Sequence, residues 1–278
     1  CSIEDVAAKT SKPFWFQLYT MKDEYYTNRL IQRAKDAGCS ALVITLDLQI
    51  LGQRHKDLKN GLTAPPKFTL PVIADLATKW SWGIEMLGTK RRFFGNIIGH
   101  VAKVIDPSSL HAWTAEQFDT SLDWNKVAKL MEKWDGKVIL KGILDAEDAR
   151  MAAKLGADAI VVSNHGGRQL DGALSSIRAL PAIMEAVGDQ VEVLLDSGIR
   201  SGQDILKAMA MGAKGTMIGR AYVYGLGAMG QKGVTTARET IRKELDTTMA
   251  LCGRRHVEDL DHDILLIPED FEGRWKQN

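Results

Sequence analysis

Several things are scarce in this chain, and each scarcity excludes something. Its 278 residues hold only three cysteines. Cys1, Cys39 and Cys252 lie too far apart in sequence to suggest a disulfide framework or a metal cluster, and a reducing cytoplasm is the simplest setting for them. Charge of one sign is not in surplus. Lys and Arg number 36 against 35 Asp and Glu, a formal net charge of +1, which argues against a general nucleic-acid binder. No apolar run approaches the roughly 20 residues needed to cross a bilayer. The opening CSIEDVAAKT reads as a polar helix rather than a signal peptide. The remaining composition, 45% hydrophobic and 26% charged, suits a soluble chain with one large α/β domain or two small ones.

What is present is an alternation. Short apolar runs recur at FWFQLY (14–19), ALVITLD (41–47), KVILKGI (137–143), AIVVSNH (159–165), VEVLLDSG (191–198) and GTMIGRA (215–221). Strands buried on both faces of a parallel sheet read this way. Amphipathic helical stretches separate most of them. Three end alike, in AKDAGCSAL, AAKLGADAI and AMAMGAKGT, where a Gly suited to left-handed backbone stops the helix before a strand. Asp145 marks a helix start with acids in its first turn, and Ser175-Ser176 precede another. Repeated βα units of this length imply a parallel α/β sheet, open or closed. A closed (β/α)8 TIM barrel has eight strands. Six are visible, so the expectation is one barrel domain over 1–278 lacking its N-terminal segment and about the first two strands. Residues 55–122 break the rhythm with three prolines in their first part, followed by WSWGIEMLGTKRRFFGNIIGHVAKVI. A stretch of this length between barrel strands reads as a lid or binding loop.

Active faces of such barrels lie at the C-terminal ends of the strands. The polar residues there are Gln17, Tyr19, Thr45, Asp47, Lys141, Ser163, His165, Asp196, Gly219 and Arg220; the following loops add Arg54, Arg168 and Arg200. In SNHGGRQLDG, His165 offers a general base and Arg168 a two-pronged donor for a carboxylate, with a Gly pair that lets backbone approach a ligand. The plainer reading is an interior His and a surface Arg. Asp47 is a candidate partner for His165 or, alternatively, a helix N-cap. Lys141, in an apolar strand, must be paired, reactive toward a carbonyl, or exposed at the strand end. DSGIR (Asp196–Arg200) and IGR (Ile218–Arg220) stand where barrels bind phosphate, on a substrate or on a cofactor.

Taken in order, FQLY, TLD, LKGI, SNHGGRQLDG, LLDSGIR and IGRA resemble the FMN-dependent 2-hydroxy-acid dehydrogenases and oxidases over nearly the whole chain. RAKDAGCSALVITLD, KGILDAEDAR and LSSIRALPAI are most similar to the bacterial respiratory L-lactate dehydrogenase branch. The resemblance implies FMN as cofactor and oxidation of an L-2-hydroxy acid to a 2-keto acid. Electrons would pass to a quinone or cytochrome or, in the oxidase alternative, to oxygen with release of hydrogen peroxide. It implies His165 as the base, Asp47 as stabiliser of its imidazolium, and Tyr19 beside the reacting carbon. Arg168 and Arg54 would hold the substrate carboxylate. Gln17, Thr45, Lys141 and Ser163 would face the flavin ring; Asp196, Gly198, Arg200, Gly219 and Arg220 would hold its ribityl chain and phosphate. Asp196-Ser197-Gly198 stands where many members carry Asp-Gly-Gly, and the lactate and mandelate branch tolerates that Ser. A different class of reading is an apo fragment or non-catalytic phosphate-binding barrel. For 55–122 the resemblance suggests contact with the cytoplasmic face of the inner membrane through aromatics mixed with Lys90, Arg91, Arg92 and Lys103. Family members also often form homo-oligomers.

Overall fold

The computed structural model describes all residues except 51, 53, 61–68, 90–93, 98–99, 101–112, 114–116, 270 and 272–278. The chain forms two compact units, Cys1–Lys137 and Val138–Asn278.

In the first unit, β1 (Trp15–Tyr19) pairs in parallel with β2 (Ala41–Thr45), with Gln17 opposite Val43 and Tyr19 opposite Thr45. Leu18, Leu42 and Ile44 are fully buried, each contributing about 1.5–3 kcal/mol by leaving water. The opening helix expected from the sequence is α1 (Ile3–Ala7), started by a reciprocal capping box between Ser2 and Asp5. It is fastened to α2 (Glu24–Asp36) by Arg33, whose Nε and Nη2 donate to the Glu4 carboxylate at 2.6 and 2.8 Å. The Arg33 hydrogen bonds hold Glu4 down to about 2. Asn96 joins the same cluster. Its side-chain oxygen accepts from the Ile3 amide and from Arg33, and its carbonyl accepts from the Tyr26 hydroxyl.

The expected insertion holds three helices among its described residues, α3 (His55–Lys59), α4 (Leu70–Ala77) and α5 (Trp80–Gly88). Phe118 closes it with an antiparallel bridge to Met21, ahead of α6 (Trp124–Met131). Lys90, Arg91, Arg92 and Lys103 lie outside the described residues.

The second unit carries β3 (Lys137–Ile143), β4 (Ala159–Val162), β5 (Glu192–Leu195) and β6 (Gly215–Thr216), each paired in parallel with the next. Ile143, Ile160, Val161, Val162 and Leu195 are buried to 1% exposure or less, as are Leu180 and Ile183 of α8 (Ser176–Val187). The near-continuous apolar reading of these strands reflects burial on both faces. Asp145 caps α7 (Ala146–Lys154), accepting from the amides of Glu147 and Asp148. Ser175 is the N-cap of α8 without a side-chain bond.

The three Gly stops take one form. Gly38, Gly156 and Gly212 have φ of +72, +82 and +101°, after α2, α7 and α9 (Gly202–Ala210). In each the Gly amide bonds back three residues and the next amide five, as in Cys39 to Ala34, Ala157 to Ala152 and Ala213 to Ala208. That paired pattern is the Schellman motif, and it satisfies carbonyls the helix end would otherwise leave open. The last helix, α10 (Arg220–Leu251), is interrupted by non-helical backbone at Met229 and Gly230.

The strands are shorter than their apolar runs. β2 stops at Thr45, two residues before Asp47; β4 stops at Val162, before Ser163 and His165; β6 is only two residues long. The reason is visible in the second case. His165, Gly166 and Gly167 have φ of +56, +68 and +69°, which no strand ladder accommodates. The polar residues therefore lie in βα loops just beyond the strand ends.

Candidate functional site

Each unit brings part of the expected residue set together. In the first, alternation along β1 puts Gln17 and Tyr19 on one face. The Gln17 amide donates to the Tyr19 hydroxyl and the Thr45 hydroxyl, both at 3.1 Å. Thr45 is buried, Tyr19 half-buried and Gln17 exposed. Asp47 and Arg54 are half-buried in the loop after β2. The nearest following helix starts at His55, so Asp47 is not a helix N-cap.

In the second unit the centre is Lys141, only 6% exposed. This rules out the surface-lysine reading. Its Nζ donates to Ser163 Oγ at 2.9 Å and pairs with Asp196 Oδ2 at 3.0 Å. Gly142 follows at φ +104°, and the β3–β4 register shifts between Lys141 and Ile143. This is a bulge of the kind that re-aims a neighbouring side chain. Burying an ammonium is costly unless it is paired and hydrogen-bonded, and here both conditions hold.

The His165 loop hangs from this pair. The His165 amide donates to Ser163 Oγ at 3.1 Å, and the Gly166 amide donates to Ser197 Oγ at 2.9 Å. Ser197 Oγ in turn donates to Asp196 Oδ1 at 2.7 Å. On the other side, Arg220 donates to the Gly166 carbonyl at 2.8 Å. Glycine suits position 166: φ is +68°, and a Cβ there would lie 2.7 Å from Arg220 Nη2 and push that guanidinium aside. Ser176 Oγ donates to the carbonyls of Asp196 (2.5 Å) and Ser197 (3.0 Å), tying the start of α8 to the same turn. Sequence reading missed Ser176 and gave Ser197 little weight. The only signal for Ser197 was its departure from the Asp-Gly-Gly common in the resembled family.

The phosphate expectation divides. The start of α9 is occupied from within the protein. Asp204 accepts from the amides of Arg200 and Ser201, Ser201 Oγ from that of Asp204, and Glu244 from that of Gly202. The start of α10 has no side-chain cap, and nothing lies within 4 Å of a Cβ built on its N-cap, Gly219. Gly198 (φ +95°) is equally open. An anion therefore fits the α10 end, with Arg220 beside it, better than the α9 end that DSGIR alone suggested.

Comparison with known proteins gives a consistent set of matches. The model of a family described as FMN-dependent dehydrogenase matches residues 1–267. An L-lactate dehydrogenase of Caulobacter vibrioides is 43% identical over 266 residues, 95% of this chain and 69% of that protein. One from Actinobacillus pleuropneumoniae serotype 5b is 42% identical over 267 residues, 96% of this chain and 70% of that protein. Among solved structures, the monotopic membrane protein (S)-mandelate dehydrogenase superposes with a TM-score of 0.89 at 34% identity, covering 95% of this chain and 70% of its own. A mandelate oxidase superposes with a TM-score of 0.72 at 38% identity, covering 92% and 64%. The fold class is that of the (β/α)8 barrel, of which six parallel strands are described in this chain.

Proposed function

The chain belongs to the FMN-dependent dehydrogenases, and from that premise we propose that it oxidises an L-2-hydroxy acid, L-lactate before others, to the 2-keto acid, with a quinone or cytochrome as acceptor. The similarity to two L-lactate dehydrogenases over 95–96% of the chain supports the substrate. The observation that carries the reading is the buried Lys141 ammonium, paired with Asp196 and joined through Ser163 to the His165 loop.

The residues present fit FMN. Gly198 and Gly219 leave open a cradle that side chains would fill, at an uncapped helix start beside Arg220. Asp196, Gly198, Arg200, Gly219 and Arg220 would hold the ribityl chain and phosphate, while Gln17, Thr45, Lys141 and Ser163 would face the ring. When bound, FMN supplies the two-electron acceptor. The protein's own part is to bind, orient and move a proton. Arg168, with Arg54, would hold the substrate carboxylate in a two-pronged grip. Tyr19 would donate to the substrate near the 2-carbon. His165 Nε2 or Nδ1 would take the proton from the substrate, and Asp47 would stabilise the imidazolium that results. The fixed charge of Lys141 favours negative charge developing nearby, at no reorganisation cost.

In this proposal the whole chain is one FMN-binding barrel domain, with residues 55–122 as an insertion that contacts a membrane surface. Leu70, Ile73, Trp80, Trp82, Ile84 and Leu87 are exposed on its helices, and no described helix is long and apolar enough to cross a membrane. Peripheral attachment at the cytoplasmic face, next to a quinone pool, follows from that reading, and membership of the family is the ground for proposing a homo-oligomer. The similarity to a mandelate oxidase favours one second reading, an oxidase. Turnover with a panel of L-2-hydroxy acids, with peroxide measured in air and a quinone analogue as alternative acceptor, tests both. The proposal expects L-lactate to turn over with the quinone analogue and little peroxide. Stoichiometric peroxide would replace it with the oxidase reading, and no turnover of any 2-hydroxy acid would refute both.

A further inference from the structure

Among the described residues only two non-glycines have left-handed backbone, His165 (φ +56°) and Ser197 (φ +68°). They lie 32 positions apart in sequence, yet one hydrogen-bonded chain joins their turns. The Gly166 amide, next to His165, donates to Ser197 Oγ at 2.9 Å, and that hydroxyl donates to Asp196 Oδ1 at 2.7 Å. Asp196 Oδ2 is held by the buried Lys141. Left-handed backbone is unfavourable for residues with a Cβ, so each position persists only where its surroundings impose it.

The three amides of the left-handed run differ in what holds them. Those of His165 and Gly167 are satisfied within the loop's own neighbourhood, by Ser163 Oγ and by Asn164. The Gly166 amide alone reaches a different βα loop, through Ser197. The Gly166 carbonyl is also held from outside, by Arg220. Gly166, the residue after His165, is thus held through both its amide and its carbonyl, which belong to successive peptide groups. One grip ends on the carboxylate that pairs with Lys141.

We propose that Ser197 is a positioning residue for proton removal, its hydroxyl transmitting the fixed Lys141–Asp196 pair to the Gly166 amide and so holding His165 in its left-handed pose. The inference rests on the reading of His165 as the base. It also gives a reason for Ser at a position where glycine would suit the backbone better: the hydroxyl is retained in spite of the strain.

Two substitutions separate this role from a structural one. Ser197→Gly and Ser197→Ala both remove the hydroxyl, but Gly relieves the left-handed strain and Ala keeps it. In the FMN-loaded protein, three quantities are measured: the melting temperature, hydrogen exchange in the peptide spanning Ser163–Gly172, and the rate of flavin bleaching by saturating L-lactate without oxygen. The expected result is that both variants exchange Gly166 about tenfold faster and bleach about five- to tenfold more slowly, the effect of one hydrogen bond, while the Gly variant melts above the Ala variant. Unchanged exchange at Gly166 in both variants would overturn the proposal. So would a bleaching rate that simply follows melting temperature, with the Gly variant recovering the native rate. Failure of the unsubstituted protein to bleach with any 2-hydroxy acid would remove the oxidation reading. The exchange measurement would still decide whether Ser197 holds the loop.

Discussion

Replacing Lys141 with Met isolates the pair on which the second unit's site is built. The Nζ to Asp196 Oδ2 separation is 3.0 Å, and at an effective dielectric of about 20 the attraction is worth about 5 kcal/mol before desolvation is subtracted. Removing one partner of a buried pair costs about 3–5 kcal/mol, because the other charge stays buried. Asp196 keeps the Ser197 hydroxyl and has 17% of its side chain exposed, which places Lys141→Met near the lower end, about 3 kcal/mol. For a chain of this size that is a fall of about 6–12 °C in Tm. Asp196→Asn alone leaves a buried ammonium with only Ser163 and should cost a similar amount. Since neither charge remains in the double variant, it should be far less unstable than the sum of the two. Urea unfolding followed by tryptophan fluorescence gives the four corners of this cycle, with an expected coupling of about 2–3 kcal/mol. A cost below about 1 kcal/mol for Lys141→Met, or additivity in the double variant, would refute the claim that a buried, coupled pair anchors this site.

Other expectations follow from the same geometry. Gly202→Ala should cost more than about 3 kcal/mol or prevent folding, since its Cβ would fall 1.9 Å from the backbone nitrogen of Leu245 in α10; thermal melting or loss of soluble protein reads this out. Glu4 has its folded value lowered from 4.5 to about 2 by Arg33. Its contribution is therefore present above pH 4.5 and lost as pH falls toward 2. Its side chain is half exposed, so the loss is about 1 kcal/mol; acid titration of Glu4→Gln should lack that component and start lower at neutral pH. Burial pushes the Cys39 thiol up, so iodoacetamide at pH 7 should label the exposed Cys1 and Cys252 and spare Cys39 until the protein unfolds. Arg168→Lys should raise KM for the 2-hydroxy acid about tenfold or more, because an ammonium cannot reproduce the two-pronged grip on a carboxylate; an unchanged KM in steady-state assays would remove Arg168 from substrate binding.

How much of this was legible in the sequence depends on how local the signal is. The Gly stops at 38, 156 and 212 and the Asp145 cap were readable, because helix ends are set by a few adjacent residues. Burial of Lys141 was one of three readings until its partners were seen, since Asp196 lies in a different βα loop. The strand ends were placed too late after Thr45, Val162 and Thr216, because apolar character continues past the point where the ladder stops. Four features gave no usable local signal: the bulge at Gly142, the Asn96 cluster that ties the insertion to α1 and α2, the Glu244 contact that closes the start of α9, and the Ser197 bridge. Each depends on groups tens of residues apart, such as Ile3 with Asn96 and Gly202 with Glu244, whose meeting only the folded chain specifies.

The most direct test of the central claim is a visible spectrum of the FMN-loaded protein before and after L-lactate is added without oxygen, alongside His165→Gln. The native flavin bands should bleach, and the variant should bind FMN equally but bleach at least about a hundredfold more slowly, as expected when a general base is lost. Equal bleaching by the variant would show that His165 is not the base. A native protein that holds FMN yet is not bleached by lactate or any other L-2-hydroxy acid would contradict the proposed function itself.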